Sequence, residues 1–163
     1  MKLKRHTSGI ALAVITVLTT AMPVVSAQSD VNERSIEGTW RTVVTPRNCQ
    51  TGDPFPSLAG LFTFHQGGTM AEYGIGPGSS PALRSPGHGV WQRRHGWQLY
   101  SFAFTFYRYN ASGILLGTTK VTGELELGAG GDAFATRSVI EILDVNDVQI
   151  GSGCATAAGT RFE

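Results

Sequence analysis

The segment 97–109 limits the fold more than any other part of the chain. Tyr100, Phe102, Phe104 and Phe106 alternate there with Ser101, Ala103 and Thr105. An apolar residue at every second position marks a strand with one buried face. Seven further runs share this character, at 36–46, 58–65, 69–75, 88–95, 114–127, 133–144 and 147–162. In 114–127, Leu115, Val121, Leu125 and Leu127 fall on one face. Thr118, Lys120, Thr122, Glu124 and Glu126 fall on the other. No stretch carries a helical apolar period, and the 21 glycines with frequent Thr, Val, Phe and Tyr favour strands and turns.

The links between runs are short. Gln66-Gly67-Gly68, His95-Gly96, Asn110 to Gly113, Gly128 to Asp132 and Val145-Asn146-Asp147 are hairpin turns. Links of this length join antiparallel neighbours, because a parallel crossover needs a dozen residues or more. Eight such strands in simple order remove both sheet edges by closing. The expected fold is therefore all-β, an eight-stranded antiparallel up-and-down β-barrel.

The N-terminus reads differently. Lys2, Lys4 and Arg5 precede an apolar run from Ile10 to Met22; Pro23 follows, and then Val25-Ser26-Ala27. This is the layout of a cleavable secretory signal, with cleavage after Ala27. The run is too short to span a bilayer comfortably, so no membrane span is expected after cleavage. The division is a signal peptide over 1–27, a polar flexible segment over 28–35 and the barrel over 36–163. Of 13 Lys+Arg and 12 Asp+Glu, three basic residues sit in the signal, leaving 10 against 12 in the mature chain. A balance this weak gives no electrostatic case for nucleic acid or an anionic membrane. A domain of this size buries a core without help, and a monomer is expected.

Export, periplasmic or fully secreted, places Cys49 and Cys154 in an oxidising compartment, where two cysteines suggest one disulfide. If β-closure pairs the first strand with the last, a bridge between these cysteines sets a register. Thr42 then faces Arg161, and Trp40 lies one diagonal step away on the same face. The cysteines fall on the opposite face, and a Trp40–Arg161 stack across the seam becomes possible.

Gly38-Thr39-Trp40 at the start of the first strand resembles the G-x-W signature of lipocalins, and Arg161 near the end of the last resembles the basic residue that packs on that Trp. The resemblance implies a lipocalin-like, or calycin-like, exported barrel, of the look of bacterial secreted proteins of unknown function. The motif covers only Gly38, Trp40 and Arg161. The long helix before the family's C-terminal tail has no counterpart here. No ligand is carried over.

Two regions are candidate sites. Phe62, Phe64, Trp91, Tyr100, Phe102, Phe104 and Phe106 form an aromatic face that either fills an eight-stranded barrel or lines a pocket for one small ligand. Gly151, Gly153, Ala155 and Ala157 leave room if they point inward. The loop 76–89, stiffened by Pro77, Pro81 and Pro86, carries Arg84 and His88, two donors for an anionic group at the barrel mouth. Its plain structural reading has Leu83 plugging the barrel end. A second Pro-rich link, Asn48 to Ser57, lies at an end as well. His65, His88 and His95 lack metal-ligand spacing, and neither a metal nor any other cofactor is expected. Glu124, Glu126, Arg93 and Arg94 read as solvated strand residues. The leading function is binding of a small hydrophobic or amphipathic molecule. The alternatives are a solid-core module that presents its Pro-rich loops to a partner, and a calycin-type isomerase or cyclase using Arg137 and Glu141 inside the barrel.

Overall fold

The computed structural model describes residues 35–162. The signal read over 1–27 lies outside the described residues, as does all of the 28–35 segment except Ser35. Eight strands follow in order: β1 (Gly38–Arg47), β2 (Leu58–Phe64), β3 (Thr69–Ile75), β4 (Gly87–His95), β5 (Leu99–Tyr109), β6 (Leu115–Leu127), β7 (Ala133–Leu143) and β8 (Gln149–Arg161). Each pairs antiparallel with the next, and β1 pairs with β8, so the sheet is a closed barrel. The architecture is consistent with the lipocalin-like expectation. The one helical turn among the described residues is a 3-10 turn over Pro81–Leu83.

Alternation decides what is inside. On β5, Tyr100, Phe102 and Phe104 are buried and Phe106 packs beside them. On β6 the buried positions are Thr119, Val121, Leu125 and Leu127, with Gly117 in line. Leu115 departs from its expected inward place and is 42% exposed. The ladder between β5 and β6 shifts at Arg108/Tyr109, where Gly117 adopts φ 128°, a conformation that side-chain-bearing residues avoid. Leu115 lies beyond that irregularity, at the exposed hairpin end.

The links after even-numbered strands and both described chain ends gather at one end of the barrel. That end is closed. Trp40 is fully buried, and its indole Nε1 donates to the Ile36 carbonyl at 2.8 Å. The Arg161 guanidinium lies 4.2 Å from the Trp40 ring centroid. It donates from Nη1 to the Glu37 carbonyl at 2.7 Å and from Nη2 to the Ser35 carbonyl at 2.7 Å. Nε and Nη2 also reach the Gly131 carbonyl, at 3.1 and 2.8 Å. One side chain thus joins β8, the β6–β7 link and the segment before β1. Burial pushes its pKa down, against the opposing pull of Asp132 and Tyr100. Behind it, Phe134 meets Trp40 edge-on at 5.0 Å, and Phe64, Met70, Tyr100, Leu125 and Leu127 complete a solid plug.

The closing seam corrects the expected register by two residues. Trp40 stands directly opposite Arg161, and Thr42 opposite Gly159. The Cys49–Cys154 disulfide is present, with Cα atoms 5.2 Å apart. It does not report the ladder register, because β1 leaves the ladder at Arg47, opposite Cys154, and Cys49 lies in the turn beyond.

Two outcomes follow for stability. Hydrogen bonds from a charged donor contribute roughly 1.5–3 kcal/mol each, with partial recovery by water at a rim, so Arg161→Met is expected to cost about 3–4 kcal/mol in urea unfolding. Replacing Cys49 and Cys154 together with Ser is expected to cost about 3–5 kcal/mol, from the loop-closure entropy that the bond removes from the unfolded chain. Far-UV circular dichroism of the double variant should retain the barrel signature.

Candidate functional site

The other end of the barrel is the mouth. The links after β1, β3, β5 and β7 gather there, including both Pro-rich segments. Below them the interior is not filled. A cavity of about 130 Å³ lies among Phe62, Phe102, Phe104, Phe106, Val121 and Ile140, with Val44, Pro46 and Leu58 on the near wall. Ala155 and Ala157 of β8 do point inward and line it. Thr119, Thr136 and Ser138 add hydroxyls to its wall. The Thr136 hydroxyl already accepts from the Ala157 amide at 2.9 Å, and the Ser138 hydroxyl donates to the Ala155 carbonyl at 3.3 Å.

The two readings of the aromatic face are therefore divided along the barrel axis. Phe64, Trp91 and Tyr100 belong to the plug at the closed end. Trp91 donates its indole N–H to the His65 carbonyl at 3.0 Å. Phe62, Phe102, Phe104 and Phe106 face the cavity.

Across the top of the cavity lies an ion pair that sequence reasoning missed in half. Arg84 enters from the β3–β4 link and forms a two-pronged contact with Glu72 of β3. Nη2 pairs with Oε2, and Nη1 reaches Oε1 at 3.3 Å. Their side chains are only 16% and 4% exposed. Nη1 also donates to the Gly74 carbonyl at 3.0 Å and Nε to the Ser85 carbonyl at 3.2 Å. The guanidinium carbon sits 3.6 Å from the Phe106 ring centroid, so the cation caps the aromatic wall.

The link itself is built to hold this pose. The Ser80 hydroxyl caps the 3-10 turn by accepting from the Ala82 amide at 3.3 Å, and Pro81 fixes its start. The Ser85 amide donates to the Tyr107 carbonyl and the Ser85 hydroxyl accepts from the Tyr107 amide, both at 3.0 Å. Gly87 makes room for the acid, since a Cβ there would stand 2.7 Å from a Glu72 oxygen and 3.1 Å from the Phe104 ring. Leu83 does not plug the barrel: it is 36% exposed, and the plugging side chain is Arg84 next to it.

His88 and Arg84 are not brought together. Odd residues of β4 face inward, and His88 is exposed on the outer wall. Arg137 and Glu141 are not inside either. Arg137 is exposed, and Glu141 reaches Lys120 on the outer wall at 3.5 Å. The interior acid–base pair is Glu72 and Arg84, which leaves the catalytic reading of Arg137 and Glu141 without a buried site.

Arg108 continues the inward face of Phe104 and Phe106 and forms a β-bridge with Arg84. Its Nη2 donates to the Leu143 carbonyl at 2.8 Å, while its Nε is buried with no hydrogen-bond partner. A larger recess of about 890 Å³ lies outside, across the outer wall between Arg47, Arg94, Ser101, Glu124, Arg137 and Thr156. It is a shallow trough open to solvent, so it encloses no ligand. No group of three or more His, Cys, Asp or Glu among the described residues is placed to hold a metal. Comparison with protein-family models and with curated proteins finds no match to this sequence.

Burial raises the Glu72 pKa above the ordinary 4.5, and the attraction and hydrogen bond of Arg84 recover only part of that. The sign is that of a folded-state pKa above the unfolded one. The associated stability is complete below pH 4.5 and is lost as pH rises through the folded value. The melting temperature of the protein relative to its Glu72→Gln variant should therefore fall as pH is raised from 4 to 7. Arg84→Met removes the counter-ion paired with Glu72 and should push the Glu72 pKa higher still, which NMR titration of the carboxyl carbon reads directly.

Proposed function

We propose that the protein is an exported binding barrel that holds one small apolar or amphipathic molecule in the cavity beneath Arg84. The observation that carries this reading is the division of the interior. The closed half is packed solid, and the mouth half keeps an apolar space behind a polar latch. A solid-core module has no need to leave that space open. An engineered apolar cavity of about 150 Å³ takes up benzene, so the space here suits a group of about six carbons. Anything longer extends past Arg84 into the mouth.

Export fits the same picture. The basic and apolar start with small residues before position 28 is the reading behind it, and a disulfide is at home in an oxidising compartment. A second reading has one observation in its favour. Phe55, Leu83, Ile114, Val145, Val148 and Ile150 are exposed on or beside the four mouth links. A rim of this kind suits docking to a partner that delivers or receives the ligand.

Filling the space tests the reading. Ala155→Leu and Ala157→Leu project new methyl groups into the cavity. Amide chemical-shift titration with benzyl alcohol should show saturable shifts at Phe102, Phe104 and Val121 in the unaltered protein. The response should weaken at least tenfold in whichever Leu variant folds with an unchanged spectrum elsewhere. Equal binding by a filled variant places the alcohol outside the barrel and removes the proposal.

A further inference from the structure

Among the described residues Glu72 is the only carboxylate lining the mouth cavity and Arg84 lines it too, while a second guanidinium, that of Arg108, belongs to the inward-facing position next after Phe106 of its wall. Arg84 is paired with Glu72; Arg108, two residues beyond Phe106 on the inward face, has no carboxylate partner among the described residues. The other acids near this end lie in the links or on the outer wall, Asp147 exposed in the β7–β8 link among them. Glu141 faces outward to Lys120. The Asp144 carboxylate accepts the amides of Asn146 and Val148 at 2.8 and 2.9 Å, closing its own turn. Asp53 accepts from the Thr51 hydroxyl. Arg47, the third arginine at this end, is turned to the outer wall, where it donates to the Thr156 hydroxyl and the Gly52 carbonyl.

Among the described residues the inward-facing side chains at this end thus include two guanidinium groups and one carboxylate. A polar atom shut off from water and left without a hydrogen bond is costly. Here the mismatch has an atomic address, because the Arg108 Nε–H is buried and unpartnered. A donor in that state supplies a hydrogen bond to an incoming acceptor without first giving one up. Arg108 and Arg84 are also bridged through their backbones, which sets the two arginines side by side in the chain path at the mouth.

From this we propose that the ligand is a small amphipathic anion, its apolar body in the aromatic cavity and its carboxylate or comparable anionic head at Arg108 beside Arg84. The inference rests on the cavity reading above and adds the sign and place of the head group. Glu72 then acts as the resident counter-ion of Arg84. It holds the latch shut in the absence of ligand and leaves Arg108 as the point of first capture. Charge-assisted bonds between guanidinium and carboxylate are the stronger class of hydrogen bond, and beside partly buried arginines they favour an anion over its neutral isostere.

The experiment compares three probes that share one apolar body: benzoate, benzyl alcohol and benzylamine. Binding to the full, disulfide-bonded protein is followed by amide chemical-shift titration at pH 7. Benzoate is expected to bind at least tenfold more tightly than benzyl alcohol, and benzylamine more weakly than either. Raising the salt concentration should narrow the gap between benzoate and the alcohol. Arg108→Met should bring benzoate down to the level of the alcohol, and Arg108→Lys should restore part of the preference. Arg108→Gln, which keeps a polar side chain at the position, serves if the Met variant fails to fold. If the alcohol matches or exceeds benzoate, or if the Arg108 variants keep the full preference, the anionic inference is overturned and the cavity reading stands. If none of the three perturbs the cavity-lining amides, the cavity reading falls and the inference with it.

Discussion

The pairing of β1 with β8 is the contact on which the rest depends. Without it the sheet has two free edges, and the side chains of its concave face have nothing to pack against. The seam runs from Trp40 opposite Arg161 to Arg47 opposite Cys154, and each end is fastened by something other than the ladder. At the base, Arg161 satisfies carbonyls of Ser35, Glu37 and Gly131 while lying on Trp40. At the mouth, the Cys49–Cys154 bond holds the first link against the last strand. A closed barrel has no natural starting point for unravelling, and here the one junction between distant parts of the chain is reinforced twice.

With closure secured, side-chain size along the strands divides the interior. β5 contributes Tyr100, Phe102, Phe104 and Phe106, while β8, across the barrel, contributes Ala155 and Ala157. Large residues on one wall and small ones on the other displace the empty volume toward the small side. At the base the imbalance is filled by Trp40 and Phe134. At the mouth no comparable ring takes the space, and an ion pair spans it instead. A buried ion pair contributes little net stability over well-packed apolar residues, because both ions lose hydration. Its presence above an apolar hollow accords with the proposed binding role more than with a gain in stability.

Much of this was legible in the sequence. Strand count, strand bounds and the up-and-down order follow from alternation and tight turns, since both are local. Trp40 and Arg161 were readable as a pair, and so was the disulfide. A register drawn through the disulfide falls two residues off, because Cys49 is not part of the ladder and the chain turns away after Arg47. Glu72 went unread although its signal was present. It has the parity of Met70, so an acid lay on an apolar face, and that is the pattern a buried ion pair leaves. His88 was similarly decidable, because its parity is opposite to that of Trp91. The path of the 76–86 link was not decidable. Which of its side chains turns inward depends on Ser85 meeting Tyr107 and on the space left by Gly87, and those partners are distant in sequence.

The positions of the chain ends have a consequence for how the molecule sits among others. The Ser35 carbonyl and the Phe162 amide, the latter bonded to the Thr39 carbonyl, both lie at the plugged base. The chain beyond Ser35 and beyond Phe162 therefore departs from the base, at the end opposite the four links of the mouth. A barrel tethered to a surface by its N-terminus would stand like a cup on its foot, its opening directed away from the attachment. Immobilisation or fusion made directly at Ser35 or Phe162 should leave access to the cavity intact, whereas a circular permutation that opened the β3–β4 link would place new ends beside Arg84.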